Sequence, residues 1–72
     1  METFNYRLIK QLRLERQWSA RQMAVEYFHR HHQPITAVTI WNYERGRFSP
    51  PAQKLPMLAE LFGKKVAEFY LP

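Results

Sequence analysis

Apolar and polar positions along the chain fall into short runs of helical period. Between Asn5 and about Arg16, Ile9, Leu12 and Arg16 recur at helical spacing, with Arg7, Lys10 and Gln11 on the other side. Asn5 suits the N-cap of this first helix. Ala20, Met23, Ala24, Tyr27 and Phe28 then mark one continuous face, opened by Ser19 and Gln22 at capping-box spacing. Pro34 cannot occupy a helix interior, so this second helix ends before it, near His31. Thr36 caps a third helix over about Ala37 to Arg45. Ile35 and Ile40 sit at hydrophobic-staple spacing around that cap, and Gly46 closes the helix. Phe48 to Lys54 reads as a loop, because Ser49-Pro50-Pro51 blocks continuation. A fourth helix starts near Leu55, where Pro56 is tolerated in the first turn. It turns Leu55, Leu58, Ala59 and Phe62 inward and stops at Gly63. Val66, Phe69 and Tyr70 suggest a short fifth helix, and no alternating strand pattern appears. The pattern predicts an all-α fold, a compact five-helix bundle.

At 72 residues the chain is expected to form a single domain over 1–72. A domain this small buries only about 60% of its unfolded surface, so large side chains must supply the core. Phe, Tyr and Trp make up 15% of the chain and meet that need. With no Cys, neither a disulfide framework nor a thiolate metal site is available. Apolar runs are too short for a membrane span and no export signal is apparent, so the expected location is cytoplasmic, with no membrane partner. Eleven Lys and Arg against six Glu give a net charge of +5, which favours a polyanionic partner through counterion release.

The segment Ile35-Thr-Ala-Val-Thr-Ile-Trp-Asn-Tyr-Glu-Arg-Gly46 resembles the second helix of the helix-turn-helix in the phage Cro and repressor (Cro/C1-type) family. Leu8 to Arg13 looks like that family's first helix, Trp18 to Ala24 its second, and Leu55 to Gly63 its fourth. The resemblance extends from about Leu8 to Tyr70. It implies a lambda-repressor-like bundle and sequence-specific binding of double-stranded DNA by a small transcriptional regulator, a repressor working as a homodimer on two half-sites. Three features depart from the family pattern. Ala20 replaces a common Gln at the head of the second helix. The stretch Val25 to Pro34 is several residues longer, either as a longer helix or as an elongated turn between helices 2 and 3. Ala37 and Val38 make the head of the reading helix apolar.

By family position, Ala37, Val38, Trp41 and Asn42 face the bases. Ala and Val can pack on a thymine methyl, and Asn42 can pair bidentately with adenine, so an A·T-containing half-site is expected. For Trp41, packing against Tyr27, Phe28 or the longer turn is the favoured expectation, because exposed Trp is uncommon. Arg21, Thr36, Arg45 and Arg47 are the candidates for phosphate contacts, and Lys10, Lys64 and Lys65 are expected to be solvated. The resemblance also implies a structural ion pair between Arg13 and Glu44, beneath the reading surface. Leu14 is expected to be exposed.

His29, His31 and His32 invite a metal hypothesis, but a zinc site needs three or four ligands and only Glu26 is near, so no metal or cofactor is expected. Catalysis is not expected either. The chain has no Asp and no Cys, Ser19 and Ser49 sit at cap and turn positions, and no glycine-rich phosphate loop exists. No small-molecule substrate is implied. The alternative to DNA binding is a helix-turn-helix scaffold used as a protein–protein interaction module or antitoxin component, with Trp41 as anchor.

Overall fold

The computed structural model describes residues 3–71. Strand β1 (Thr3–Phe4) leads into helix α1 (Tyr6–Glu15), followed by α2 (Ala20–His31), α3 (Ala37–Glu44) and α4 (Leu55–Leu61). A single 3₁₀ turn (Val66–Phe69) and strand β2 (Tyr70–Leu71) complete the fold. The local signals that start and stop these helices are side-chain caps and left-handed residues. Ser19 accepts a hydrogen bond from the Gln22 N–H, and Thr36 accepts one from the Thr39 N–H. The Gln22 side chain donates to Glu26 instead of closing the capping box. Asn5 precedes α1 without a side-chain cap bond; its N–H donates to the Phe69 carbonyl at 2.7 Å.

Helices α1, α3 and α4 end in the same motif. The N–H groups of the two residues beyond the cap bond back to carbonyls in the last turn, with a left-handed residue at Gln17, Gly46 or Gly63. The glycines adopt this geometry without strain. Gln17, at φ +60°, carries the Cβ penalty of that region.

The all-α five-helix expectation is corrected at both chain ends. Val66, Phe69 and Tyr70 have helical spacing, but the segment supports one 3₁₀ turn and then extends. β1 and β2 pair antiparallel, Thr3 opposite Leu71 and Phe4 opposite Tyr70, as a two-stranded sheet. Each strand is two residues long, too short for an alternating pattern to show in sequence. Phe4 stacks on Phe69 at 6.4 Å and meets Tyr70 edge-on at 5.8 Å, so the strand pair is held by aromatic contacts as well as backbone bonds. The elongated turn is also corrected. The extra residues lengthen α2 to twelve, and His32, at φ +56°, ends it directly before Gln33 and Pro34.

The core gathers Ile9 and Leu12 from α1, Met23 and Tyr27 from α2, Ile40 and Tyr43 from α3, Leu58 from α4, and Phe69. α3 packs against both α1 and α2, and α4 packs against α2. Arg16, expected on the inward face of α1, is exposed and lies over Trp18 and Phe62; Arg13 turns inward instead. Arg13 is only 8% exposed. Its Nε donates to Glu44 Oε2 at 2.7 Å, its Nη2 to Oε1 at 3.1 Å, and its Nη1 to the Trp18 carbonyl at 2.9 Å. One guanidinium therefore joins α1, the α1–α2 turn and α3. The hydrogen bond to Glu44 raises the Arg13 pKa, with desolvation acting in the opposite direction.

Glu44→Ala leaves that guanidinium buried with only the Trp18 carbonyl. The expected loss is about 3 kcal/mol, a fall in Tm of more than about 10 °C for a domain of this size. Thermal unfolding checks it, and an unchanged Tm would show that the bridge contributes nothing. Burial also pushes up the pKa values of Tyr27 and Tyr43, with the nearby Tyr43 adding to the shift of Tyr27. The folded state thus holds these phenolic protons more tightly than the unfolded chain. Their contribution is complete below the ordinary tyrosine pKa of about 10 and is lost as pH rises through the raised folded values. Alkaline unfolding should coincide with the ionisation of these two tyrosines, followed by phenolate absorbance. More than two of the four tyrosines forming phenolates in a protein that stays folded would refute this.

Candidate nucleic-acid interface

Helices α2 and α3 are joined by the five residues from His32 to Thr36. The inward side of α3 carries Ile40 and Tyr43, both buried. Glu44 and Ala37 flank that side: Glu44 is held by Arg13, and Ala37 is half-buried against the core. Its outer side carries Val38, Trp41 and Arg45, all exposed, and Asn42, half-buried. Of the four residues expected to face bases, Val38, Trp41 and Asn42 thus share or border one outward surface, whereas Ala37 turns toward the core.

The expectation that Trp41 is covered is corrected. It is 45% exposed and makes no aromatic pair with Tyr27 or Phe28. Those rings meet His31 and His32 instead. The reason is that α2 stays helical through the longer stretch, which leaves no turn long enough to fold over Trp41. Val38 is 59% exposed. An exposed tryptophan beside an exposed valine, on a helix fixed at both ends, is an uncommon surface for a small monomeric domain.

Exposed cations stand at the ends of α2 and α3. Arg21 stands in the first turn of α2, Arg45 caps α3, and Arg47 follows Gly46; all three are exposed. Among the described residues none of the three forms an ion pair. Among the described residues the glutamates are engaged elsewhere: Glu44 with Arg13, Glu60 with Arg30 at 3.6 Å, Glu15 and Glu26 with glutamines one turn away, and Glu68 with the Lys65 N–H. The Thr36 hydroxyl is occupied as a cap and also bonds the Thr39 hydroxyl at 3.0 Å. Any contribution of Thr36 to phosphate binding therefore passes through the helix terminus it organises.

Lys10 is exposed, as expected, and lies beside this surface. With Arg13, Trp41, Glu44 and Arg45 it lines an open cleft of about 320 Å³ between α1 and α3. The signal was available in the sequence: Lys10 precedes Arg13 by one helical turn, so a bridge from Arg13 to α3 carries Lys10 to the same side. A second, mainly apolar groove of about 340 Å³ runs along α2 and its turn, between Val25, Phe28, Pro34 and Ile35. Val25 and Phe28 are exposed there, as Leu14 is on α1.

The three histidines diverge. His31 packs on the Tyr27 ring at 5.1 Å, with a buried Nε2 that lacks a hydrogen-bond partner; His32 meets Phe28 at 6.5 Å, and His29 is exposed. Among the described residues no cluster of three or more His, Cys, Asp or Glu gathers as a metal site. No helix among them is long and apolar enough to cross a membrane. The chain matches no family model, no curated protein and no solved structure.

Gly46 sets where Arg45 and Arg47 emerge. It sits at φ +73°, and a Cβ there would lie 2.9 Å from Cδ1 of Tyr6 on α1. Gly63 has a similar φ of +67° but open space around it. Gly46→Ala should therefore cost about 2–3 kcal/mol, combining backbone strain with the clash. Gly63→Ala should cost only about 1 kcal/mol. Denaturant midpoints of the two variants compare them directly, and equal losses would contradict the close approach of Tyr6.

Proposed function

We propose that this chain binds double-stranded DNA sequence-specifically as a small transcriptional regulator of the Cro/C1 type, with α3 in the major groove. The observation that carries the proposal is the outer face of α3. Val38, Trp41, Asn42 and Arg45 stand outward on a helix capped at both ends, and Arg21, at the start of α2, and Arg47, just after α3, have no acidic partner among the described residues. Recognition helices of helix-turn-helix proteins meet base edges with their N-terminal residues, while flanking cations fix register on phosphate. Val38 supplies an apolar contact suited to a thymine methyl, and Asn42 an amide suited to adenine. The homodimer implied by the family resemblance would place two such helices about one DNA turn apart, reading a palindrome.

A rival reading, a protein-interaction module or antitoxin component, draws on one observation: the exposed apolar groove around Val25 and Phe28. Selection from a random duplex pool, with the winner's affinity followed across salt, separates the two. The DNA reading expects an enriched palindrome with A·T pairs in each half-site and affinity falling steeply with salt. Enriched half-sites of G·C pairs alone would refute the assigned contacts of Val38 and Asn42. Weak, uniform binding without enrichment would refute sequence-specific binding and favour a protein partner.

A further inference from the structure

The cleft between α1 and α3 carries an inference that rests on the DNA reading and extends it to a second helix. We propose that Lys10, Trp41 and Arg45 form a seat for the sugar–phosphate backbone of one DNA strand, so that α1 is part of the interface and Trp41 contacts backbone rather than bases. Three observations lead there.

The first is charge. Arg13 and Glu44, also part of the cleft wall, neutralise each other through a two-pronged bridge. Lys10 and Arg45 remain, two cations with no acidic partner among the described residues. The cleft is therefore an anion site by subtraction.

The second is the position of Trp41 on its helix. At about 100° per residue, Trp41 lies about 60° from Glu44 and on the opposite flank from Asn42. Glu44 is tied to α1, so Trp41 leans toward α1 and Asn42 leans away from it. With Val38 and Asn42 directed at base edges, Trp41 stands at the side of the groove, where a strand's sugars and phosphates pass.

The third is chemistry. Two cations beside an exposed indole suit a ligand whose anionic group adjoins a flat or apolar moiety. A nucleotide unit has that form: phosphate for Lys10 and Arg45, deoxyribose for the indole. Such contacts orient the protein without reading sequence.

The test is the salt dependence of duplex binding by the full chain, with an enriched duplex and an unrelated one. Lys10→Gln should reduce the slope of log affinity against log salt by about 0.9, the increment for one phosphate, on both duplexes. Lys64→Gln, beyond α4, should leave it unchanged. Trp41→Ala should weaken both duplexes alike, by about fivefold or more, and Trp41→Phe should recover part of the loss. Circular dichroism of each variant shows whether it is folded.

In Trp18→Phe protein, where Trp41 is the one tryptophan, duplex should change the emission, and inorganic phosphate at equal concentration should not. A phosphate response matching that of duplex would overturn the strand seat in favour of a free-anion site. Wild-type binding with an unchanged Lys10→Gln slope would overturn the seat and leave the DNA reading standing. So would a Trp41→Ala protein that loses preference at one base position while still binding unrelated duplex normally. A wild-type chain with no salt-dependent duplex binding would overturn both.

Discussion

Three hydrogen bonds from Arg13 hold the arrangement of this small protein, and most of its exposed chemistry follows from where they lead. A buried guanidinium is costly to desolvate and is tolerated only when its donors are matched. Here the two oxygens of Glu44 and the Trp18 carbonyl match it. Because those acceptors belong to α3 and to the α1–α2 turn, satisfying one charge fixes three segments at once. Glu44 lies next to the C-terminus of α3, where a negative side chain is disfavoured by the helix dipole. Its presence there makes sense only through the arginine. With Glu44 and Tyr43 directed inward, the rotation of α3 about its axis is set, and Val38, Trp41 and Arg45 have no direction left but outward.

Much of this frame is legible in the sequence because its signals are local. Ser19, Thr36, Gly46 and Gly63 act on hydrogen bonds within a few residues, so the helix boundaries they predict are close to those observed. The parts that escape are those decided by distant contacts. Pairing of Thr3 and Phe4 with Tyr70 and Leu71 depends on chain ends meeting across the domain, which no local pattern reports. The helical spacing of Val66, Phe69 and Tyr70 is genuine, yet Phe69 is buried against Phe4 and the chain leaves the helix to reach β1. At the candidate interface, the outward side chains follow from the periodicity of α3. The inward turn of Ala37 and the exposure of Trp41 require knowing how α1 and α2 pack on it.

The head of α3 limits how DNA could be read. With Ala37 turned inward, the N-terminal half of the helix offers Val38 as its outward apolar group, and valine makes no hydrogen bond. Hydrogen-bonding discrimination would fall largely to Asn42, half-buried on the far flank from α1. A surface with one amide, one branched aliphatic group and several free arginines is stronger in backbone attraction than in base discrimination. Two half-sites in a symmetric dimer would compensate, since each weak preference counts twice in the free energy of the pair.

Holding such a surface steady is a problem for a domain with so little core, and the chain ends supply part of the answer. Phe4, Phe69 and Tyr70 form an aromatic seam, and the Asn5 N–H bonds to the Phe69 carbonyl at the start of α1. Tyr6, one residue on, lies beneath Gly46 at the end of α3. The N-terminal end of α1 is thus fixed both to the C-terminal segment and to the loop that carries Arg45 and Arg47, while Arg13 fixes its other end to Glu44. Lys10 stands midway between these two anchors. A helix held at both ends cannot roll, so the cation it presents beside Trp41 keeps its position relative to α3. That rigidity lets a side chain from α1 share a register with side chains from α3, and register is what a backbone contact contributes to recognition.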